Sequence, residues 1–405
     1  MKSVDLNRCF LRFKHRAERI TADQVAQTFV AVGPLMDILS STNNQVIYGR
    51  RGTGKTHALR HLSNQRRSAG DISIYIDAQR IGSNGSLYSD STRSISERAS
   101  YLLIDIVQEI HDCLLSEVTD PRSKFDLSRI APRLDELIDL SMETIIAGTV
   151  KNFSSDQTNW TATSGTTAGA SLQAVTPTAG IHASAQSENS ESFSSKTEKV
   201  KEGEERPSID FSSFSRAIGK ITKELEPHRM WILVDEWTTI PHDLQPYVAD
   251  MLRRSLFTEP RITVKIAAIE HRSNFKVDLN KTDYVGLEVG ADISASLNLD
   301  DYLVIDNNKD RAESFFRDFL HRHAQAAAQE MGIAYDVRDI VSSAFSQSNV
   351  FTEFVTATEG VPRDAMYILT TAAQKAASER ITMPIVRQSA LDFFRTDKYK
   401  SIEVN

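Results

Sequence analysis

Eight consecutive residues constrain this chain more than any other stretch: Gly49-Arg50-Arg51-Gly52-Thr53-Gly54-Lys55-Thr56. They satisfy the pattern G-x-x-x-x-G-K-[ST] at every defined position. The apolar run 45–48 precedes them, and a segment that can form a helix follows from His57. A strand, a glycine-rich turn and a helix in this order place backbone N–H groups and a helix N-terminus around a phosphate group. The stretch therefore predicts a phosphate-binding loop, and a chance glycine turn is the simpler alternative.

In such a loop, Lys55 is expected to reach the β- and γ-phosphates of a bound ATP. The hydroxyl of Thr56 is expected to take one position around Mg²⁺. The residues predicted to bind the nucleotide are Gly49, Arg50, Arg51, Gly52, Thr53, Gly54, Lys55, Thr56 and His57.

A second motif combines an apolar run with two acids. Residues 230–234 are apolar and are followed directly by Asp235 and Glu236. Buried parallel strands are almost continuously apolar, and ligands collect at their carboxyl ends. We therefore expect Asp235 to help hold Mg²⁺ and Glu236 to activate the water that attacks the γ-phosphate. A strand that simply ends at a charged turn is the alternative, and the phosphate loop favours the chemical interpretation.

Composition limits the remaining possibilities. A chain of 405 residues is long enough for two or three domains. The net charge of −7 argues against an extended nucleic-acid surface, although it allows a local basic face. With only Cys9 and Cys113, neither a disulfide framework nor a cysteine metal site is expected. The sequence has neither a signal peptide nor a membrane-spanning apolar run, so we expect a cytoplasmic protein without membrane contact.

The apolar periodicity predicts an alternation of strands and helices. Further strands are expected over 71–77, 262–269 and 295–299. Ser94, with Glu97 three residues later, has the spacing of a helix cap. Because Pro132 is best tolerated in a first turn, the next helix is expected from near Ala131 to near Ile146. Helices are also predicted over 214–225 and 246–256, and the chain after 306 is predicted to be helical.

Residues 152–206 differ in composition from the rest, being rich in Ser, Thr, Ala, Gly and Glu. Such a segment buries too little apolar surface to offset its ordering entropy, which predicts disorder. The related stretches 167–174 and 178–185 also allow a β-hairpin that stacks on copies from neighbouring subunits. The charged run 196–206 is predicted to be a solvated linker.

Together these motifs resemble AAA+ ATPases, in particular the origin-recognition or initiator-type and the STAND-like ATPases. A further matching stretch is Glu359-Gly360-Val361-Pro362-Arg363. It resembles the family's sensor-2 motif, in which an arginine at the start of a lid helix, here Arg363, contacts the γ-phosphate. The resemblance implies an α/β fold with a parallel sheet flanked by helices, followed by a helical lid. The expected domains are an N-terminal segment 1–44, a core 45–306 with the insertion 152–206, and a lid 307–405.

The resemblance also implies a homo-oligomer in which an arginine finger enters the neighbouring site. The candidates for the finger are Arg253, Arg254, Arg261 and Arg272. The sensor-1 position departs from the family pattern, since the strand predicted over 262–269 ends in Ile269-Glu270-His271, and this predicts slow or regulated hydrolysis. Initiator-type relatives carry a winged-helix domain after the lid, whereas only a short tail follows Phe394 here.

We therefore expect an ATP-binding and ATP-hydrolysing AAA+ switch or sensor, with Glu236, Lys55 and Arg363 as its catalytic residues. It is expected to oligomerise and to regulate a partner effector protein supplied in trans, with antiviral defence as one setting. One alternative is a nucleic-acid-binding initiator or loader, which the negative net charge of the chain does not favour. Another is an ATP-controlled scaffold assembled through the inserted hairpin.

Overall fold

The computed structural model describes residues 2–16, 20–81, 88, 90, 92–120, 125–141, 144–154, 197–207, 210–280, 283–303 and 308–399. The chain forms two compact units, one comprising Met1–Glu143 and Pro207–Asn405 and the other Thr144–Arg206. The hairpin predicted over 167–185 lies outside the described residues. No described helix is both long and apolar enough to cross a lipid bilayer.

A five-stranded parallel sheet forms the centre of the larger unit. The strands of the described residues, of which five form this sheet, are β1 Gln45–Tyr48, β2 Ile72–Asp77, β3 Thr144–Ser154, β4 Thr197–Pro207, β5 Met230–Asp235, β6 Ile262–Ala268, β7 Lys276–Asp278, β8 Tyr284–Gly286 and β9 Ser294–Asn298. The sheet order is β2-β5-β6-β1-β9, with all neighbours parallel. Asp77 lies beside Asp235 in the register of β2 and β5, so the carboxyl ends of these strands coincide. The predicted α/β fold with a parallel sheet is confirmed.

Helices cover both faces of this sheet and form a separate helical region after it. They are α1 Ser3–Phe10, α2 Ala22–Thr28, α3 Leu35–Leu39, α4 Lys55–Ser68, α5 Ile95–Thr119, α6 Leu127–Ser141, α7 Phe211–Glu224, α8 Gln245–Met251, α9 Asp300–Leu303, α10 Lys309–Glu330, α11 Ile340–Ala344, α12 Ser348–Ala357, α13 Pro362–Ala376 and α14 Met383–Phe393. Alternate strand residues enter different cores, as Ile232 and Leu233 do in β5. This alternation is the reason that the strands are apolar throughout.

Two local predictions need correction. Helix α6 begins at Leu127 rather than near Ala131, because Asp126 accepts a hydrogen bond from the backbone N–H of Ser128 and caps the first turn. Pro132 consequently lies inside the helix. The helix also ends at Ser141, and the β-branched residues that follow belong to β3.

The second unit contains a two-stranded sheet formed by β3 and β4. The prediction of a solvated linker over 196–206 is wrong, since Thr197–Pro207 is a strand. Strand β3 supplies hydrogen-bond partners for the backbone of this charged segment. The side chains of the segment alone do not predict this pairing.

The N-terminal helix α1 packs on the C-terminal helices. Leu6 and Phe10 share a hydrophobic core with Phe316 and Phe354, and Asn7 donates hydrogen bonds of 2.9 Å to two carbonyl groups beyond α13. Farther along, Phe29, Leu35 and Leu39 enter the core against the sheet. The N-terminal segment thus runs from the helical lid to the sheet, past the carboxyl end of β1.

Candidate functional site

The predicted phosphate loop connects β1 to α4 at the carboxyl edge of the sheet. Gly52 and Gly54 have φ angles of +87° and +96°, in the left-handed region that glycine adopts without a steric penalty. Helix α4 starts at Lys55, so its first N–H groups point toward the loop. The local fold therefore matches the strand, loop and helix that the motif predicts.

Lys55 lies across this loop. Its Nζ donates hydrogen bonds to the carbonyl oxygens of Gly49 at 2.7 Å and Arg50 at 2.9 Å. Burial lowers the pKa of its ammonium group, while the carboxylates of Glu236 and Asp235 oppose that shift. The two motifs identified in the sequence are thus in electrostatic contact.

Asp235 ends the central strand β5 and is only 2% exposed. One carboxylate oxygen accepts a 2.5 Å hydrogen bond from the Tyr75 hydroxyl, and the other accepts one of 2.8 Å from the backbone N–H of Glu236. Burial, followed by the neighbouring Asp235 carboxylate, raises the pKa of Tyr75. Sequence reasoning missed Tyr75, whose only signal was its place near the end of the adjacent strand.

Glu236 follows Asp235 with a φ angle of +52°, a left-handed conformation that is uncommon outside glycine. Left-handed backbone at such a residue is often associated with a functional site. Its half-buried side chain lines a cavity of about 490 Å³ together with Lys55, Thr56 and Arg363. The predicted catalytic residues are therefore brought together.

The cavity is bounded by the core, the lid and the N-terminal segment. Lys14, His15 and Arg16 line it from the N-terminal side, and Asp77 and Arg80 line it from the end of β2. A larger cavity of about 800 Å³ lies at the opposite, amino end of the sheet and contains none of the predicted site residues.

Arg363 lies at the start of α13, where Pro362 takes the first helical position. Its backbone N–H donates a 3.2 Å hydrogen bond to the carbonyl oxygen of Gly52. A Cβ added to Gly52 would lie 2.8 Å from the Cβ of Arg363, so the lid helix touches the phosphate loop. The sensor-2 motif is thus adjacent to the loop, as the resemblance implies.

Arg50 connects the phosphate loop to two other segments, which the sequence did not predict. Its backbone N–H and its Nε donate to the carboxylate of Asp300 at 2.8 and 2.9 Å. One Nη donates a 2.9 Å hydrogen bond to the carbonyl oxygen of Glu359, just before the lid helix. Arg50 therefore links the loop to α9 and to the lid.

A third and much smaller cavity, of about 50 Å³, lies beside the start of α4. Its walls are mainly apolar and aromatic, from the loop, the N-terminal segment and the lid: Thr28, Phe29, Val30, Val32, Leu35, Thr53, Gly54, His57, Ala58, Leu299, Tyr302, Phe315, Phe319 and Pro362. We call this cavity the apolar slot. Gly54, His57, Phe319 and Pro362 line both this slot and the cavity that contains Glu236.

At the predicted sensor-1 position, Ala267, Ala268 and Ile269 line the cavity of about 490 Å³ that contains Lys55 and Glu236. Glu270, the first polar residue after β6, is exposed. The wall on this side of the cavity is therefore apolar where a polar side chain would contact an attacking water.

The candidate finger arginines differ in their partners. Arg253 and Arg254 both pair with Asp250, at 2.7 and 2.8 Å. Arg261 pairs with Glu226 at 3.0 Å. Arg272 is exposed and has no ion pair within the described residues.

Oxygen atoms of Thr56 and Asp235 suit Mg²⁺, which prefers hard ligands and retains several waters. The described residues contain no group of three or more His, Cys, Asp or Glu side chains arranged to hold a metal. A hydroxyl and one carboxylate fit a metal whose other ligands are phosphate oxygens and water. These residues therefore fit magnesium held jointly with a nucleotide.

Comparison with known proteins assigns the chain to a family. No curated protein sequence matches it. A family model described as ORC-CDC6-like matches residues 13–351, which include the phosphate loop, Asp235-Glu236 and the first part of the helical region after the sheet, but not Arg363. Since this match spans well over half of the chain, the protein belongs to the ORC-CDC6-like family of initiator-type AAA+ ATPases.

Proposed function

We propose that this protein binds ATP with Mg²⁺, hydrolyses it, and uses the nucleotide state as a switch. The main support is that Lys55, Glu236 and Arg363 line one cavity although they come from three distant parts of the sequence. Opposite charges at the two sides of a cavity suit a phosphate chain on one side and an activated water on the other.

In the proposed reaction, the ammonium group of Lys55 gives up its hydrogen bond to a loop carbonyl oxygen and donates instead to an oxygen of the β- or γ-phosphate. Thr56 and Asp235 hold Mg²⁺, which supplies neutralisation of phosphate charge. Glu236 orients a water and accepts its proton as the new P–O bond forms. The bond between the γ-phosphorus and the β-bridging oxygen breaks, releasing ADP and phosphate, while Arg363 stabilises the charge of the transferred group.

The apolar wall at Ala267, Ala268 and Ile269 supports slow turnover. Without a polar group there, the attacking water is oriented mainly by Glu236. We therefore propose a long-lived ATP state, which is what a switch requires.

The test compares ATP binding and turnover in three variants. Lys55→Ala is expected to abolish ATP binding, whereas Glu236→Gln is expected to bind ATP but not hydrolyse it. Lys309→Ala changes an exposed lysine on the lid and serves as the control for loss of one positive charge. Unchanged turnover in both site variants would refute the proposed function.

We also propose that the active form is a homo-oligomer in which Arg272 enters the neighbouring site. Its exposure and its lack of an ion pair in the described residues support it over Arg253, Arg254 and Arg261. Arg272→Ala and Lys55→Ala should each be inactive, but their mixture should regain activity, since intact sites then receive an arginine from the other variant. A mixture that remains inactive would contradict this arrangement.

Contacts between the phosphate loop and the lid support regulation of a partner. Arg50 bonds to the carbonyl oxygen of Glu359, and Gly52 touches Arg363, so a change in the loop acts directly on the lid. We propose that the lid position controls a partner effector protein, with antiviral defence as one setting. Native mass measurement with and without ATP and Mg²⁺ tests the assembly step, and a monomer throughout would oppose it.

A nucleic-acid-binding initiator or loader is the second candidate, and the ORC-CDC6-like family match favours it. The net charge of −7 opposes it. DNA affinity that falls steeply with salt concentration would favour this candidate, because phosphate contacts release counterions.

A further inference from the structure

The turn that carries Glu236 has an uncommon backbone conformation and is held by its own hydrogen bonds. Glu236 has a φ angle of +52°, and left-handed backbone at a residue other than glycine persists only where neighbouring contacts hold it. The carbonyl oxygen of Glu236 accepts two hydrogen bonds of 2.8 Å from Thr239, one from the backbone N–H and one from the hydroxyl. The backbone N–H of Ile240 donates a 3.2 Å hydrogen bond to the carbonyl oxygen of Trp237. Residues 236–240 therefore form a compact unit, which we call the Glu236 turn.

Gln245, the first residue of α8, joins this turn to the segment after β6. It is only 1% exposed. Its Nε2 donates a hydrogen bond of 3.0 Å to the carbonyl oxygen of Ile240, and its Oε1 accepts one of 2.6 Å from the backbone N–H of Asn274. A carbonyl oxygen can only accept and a backbone N–H can only donate, so these two partners fix the orientation of the amide. One buried side chain thus holds two separate segments together.

An aromatic contact joins the same two segments at a second point. Trp237, in the Glu236 turn, stacks on Phe275 with ring centroids 5.0 Å apart and planes inclined by 17°. Both residues are buried. Because Phe275 directly follows Asn274, the stack and the amide act on one short stretch of chain. The turn is therefore attached to this stretch through a side chain as well as through its backbone.

The Glu236 turn and the end of β6 form neighbouring parts of the site wall. Thr238 and Thr239 line the cavity that contains Lys55, as do residues 267–269. Residues 267–269 are apolar, so their side chains form no hydrogen bond with the turn or with an attacking water. Gln245 does not belong to the described residues that line the cavity, and its hydrogen bonds reach the reaction only through the turn.

We infer that Gln245 is a positioning residue for ATP hydrolysis, which aligns the carboxylate of Glu236 with the attacking water by fastening the Glu236 turn to Asn274. This inference rests on the proposed ATP hydrolysis and adds to it the group that aligns the general base. Alignment matters because residues 267–269 contribute no polar side chain to orient the water. A displacement of about 1 Å in a catalytic group can lower a rate by about 100-fold.

Gln245→Met tests this inference, since methionine fills a similar volume but forms neither hydrogen bond. The first measurement uses the protein without nucleotide. Amide hydrogen exchange over residues 236–240 should become about tenfold faster, because the turn loses a bond that fastens it. The second measures turnover of ATP with Mg²⁺, together with ATP binding by calorimetry. We expect kcat to fall by up to about 100-fold while the Kd for ATP stays unchanged.

Thr263→Val is the matched control for loss of a buried hydrogen bond in the same sheet. Thr263 is fully buried on β6, and its hydroxyl donates a 3.2 Å hydrogen bond to the carbonyl oxygen of Thr42 at the amino end of the sheet. This control should change neither exchange in the Glu236 turn nor kcat. Gln245→Asn is a milder second variant, since its amide is one methylene too short to reach both partners. It should show the same two effects to a smaller degree, and it serves where Gln245→Met does not fold.

The outcomes separate this inference from the proposed function. Absence of turnover in the unmodified protein would refute the proposed function, and faster exchange in Gln245→Met would still support the fastening of the turn. Unchanged exchange in a folded Gln245→Met variant would overturn the inference, as would faster exchange with unchanged kcat. A loss of kcat/KM that arises wholly from weaker ATP binding would also overturn it. Failure of both Gln245 variants to fold would do the same, because Gln245 would then be required for stability rather than for alignment.

Discussion

The backbone N–H of Arg363 donates a hydrogen bond of 3.2 Å to the carbonyl oxygen of Gly52. This bond joins the first turn of the lid helix to the centre of the phosphate loop, although the two residues are far apart in sequence. A lid held this close leaves no room for a side chain at position 52. The glycine pattern of the loop thus serves contact with the lid as well as approach of a phosphate.

Gly52→Ala is therefore expected to destabilise the protein through two effects. The added Cβ would lie 2.8 Å from the Cβ of Arg363, and the φ angle of +87° would be strained for alanine. Gly54→Ala is the matched control, because Gly54 has a φ angle of +96° but no atom within 4 Å of an added Cβ. Thermal unfolding without nucleotide should show a larger loss for Gly52→Ala, and equal losses would contradict a close lid contact.

Tyr75→Phe is expected to weaken magnesium-dependent turnover while ATP binding without Mg²⁺ persists. The variant removes the hydroxyl that donates to Asp235, and loss of such a supporting hydrogen bond typically reduces metal affinity or activity about 10–100-fold. Turnover measured over a range of Mg²⁺ concentrations checks this. Tyr48→Phe, on β1, is the control for removal of a half-buried hydroxyl, and an equal effect there would argue against a specific role for Tyr75.

Asp300→Ala is expected to loosen the lid with little loss of overall stability. The variant removes the carboxylate that Arg50 binds, and a half-exposed ion pair contributes only about 0–1 kcal/mol. Amide hydrogen exchange should become faster in the first turn of α13, while the sheet remains protected. Lys309→Ala removes an ion pair within α10 and is the control. Unchanged exchange at α13 would show that Arg50 does not restrain the lid.

The sheet could be predicted from sequence because its strands are buried on both faces. Continuous apolar runs identified β1 with the bounds that the structure has, and β5 to within one residue. The cap at Ser94 was also predictable, since Ser94 Oγ accepts from the backbone N–H of Glu97 three residues away. The hairpin of β7 and β8 was missed, because it depends on packing against distant segments rather than on a strong local pattern.

The candidate site was predictable only where its residues lie in motifs. Lys55, Glu236 and Arg363 each belong to a short pattern with a known physical purpose. Arg50 and Asp300 are 250 residues apart, and Tyr75 and Asp235 are 160 apart. No periodicity or spacing connects such pairs, because tertiary folding alone brings them together. Their side chains are also common at protein surfaces, so neither pair carries a local signal.

Acid is expected to destabilise this fold through two histidines that line the site cavity, His323, which is buried, and His57, which is half-buried. Burial lowers the pKa of His323 from 6.5 to about 3 and that of His57 to about 4. Both rings are neutral in the folded state, whereas in the unfolded chain they bind protons below about pH 6.5. The free energy of unfolding should therefore be largest above pH 6.5 and fall as the pH decreases toward 4, by up to about 1.4 kcal/mol per pH unit for each ring.

His323→Leu should remove one of these two contributions. The Nε2 atom of His323 is buried with no hydrogen-bond partner among the described residues, so leucine is expected to stabilise the protein by about 1 kcal/mol at pH 7.5. Urea unfolding at pH 7.5, 6.0 and 5.0 measures both effects. The difference in the free energy of unfolding in favour of the variant should grow as the pH falls. Only the unmodified protein has a ring at this position that takes up a proton on unfolding, and a lower pH favours that uptake. A constant difference at all three pH values would mean that His323 titrates alike in the folded and unfolded states.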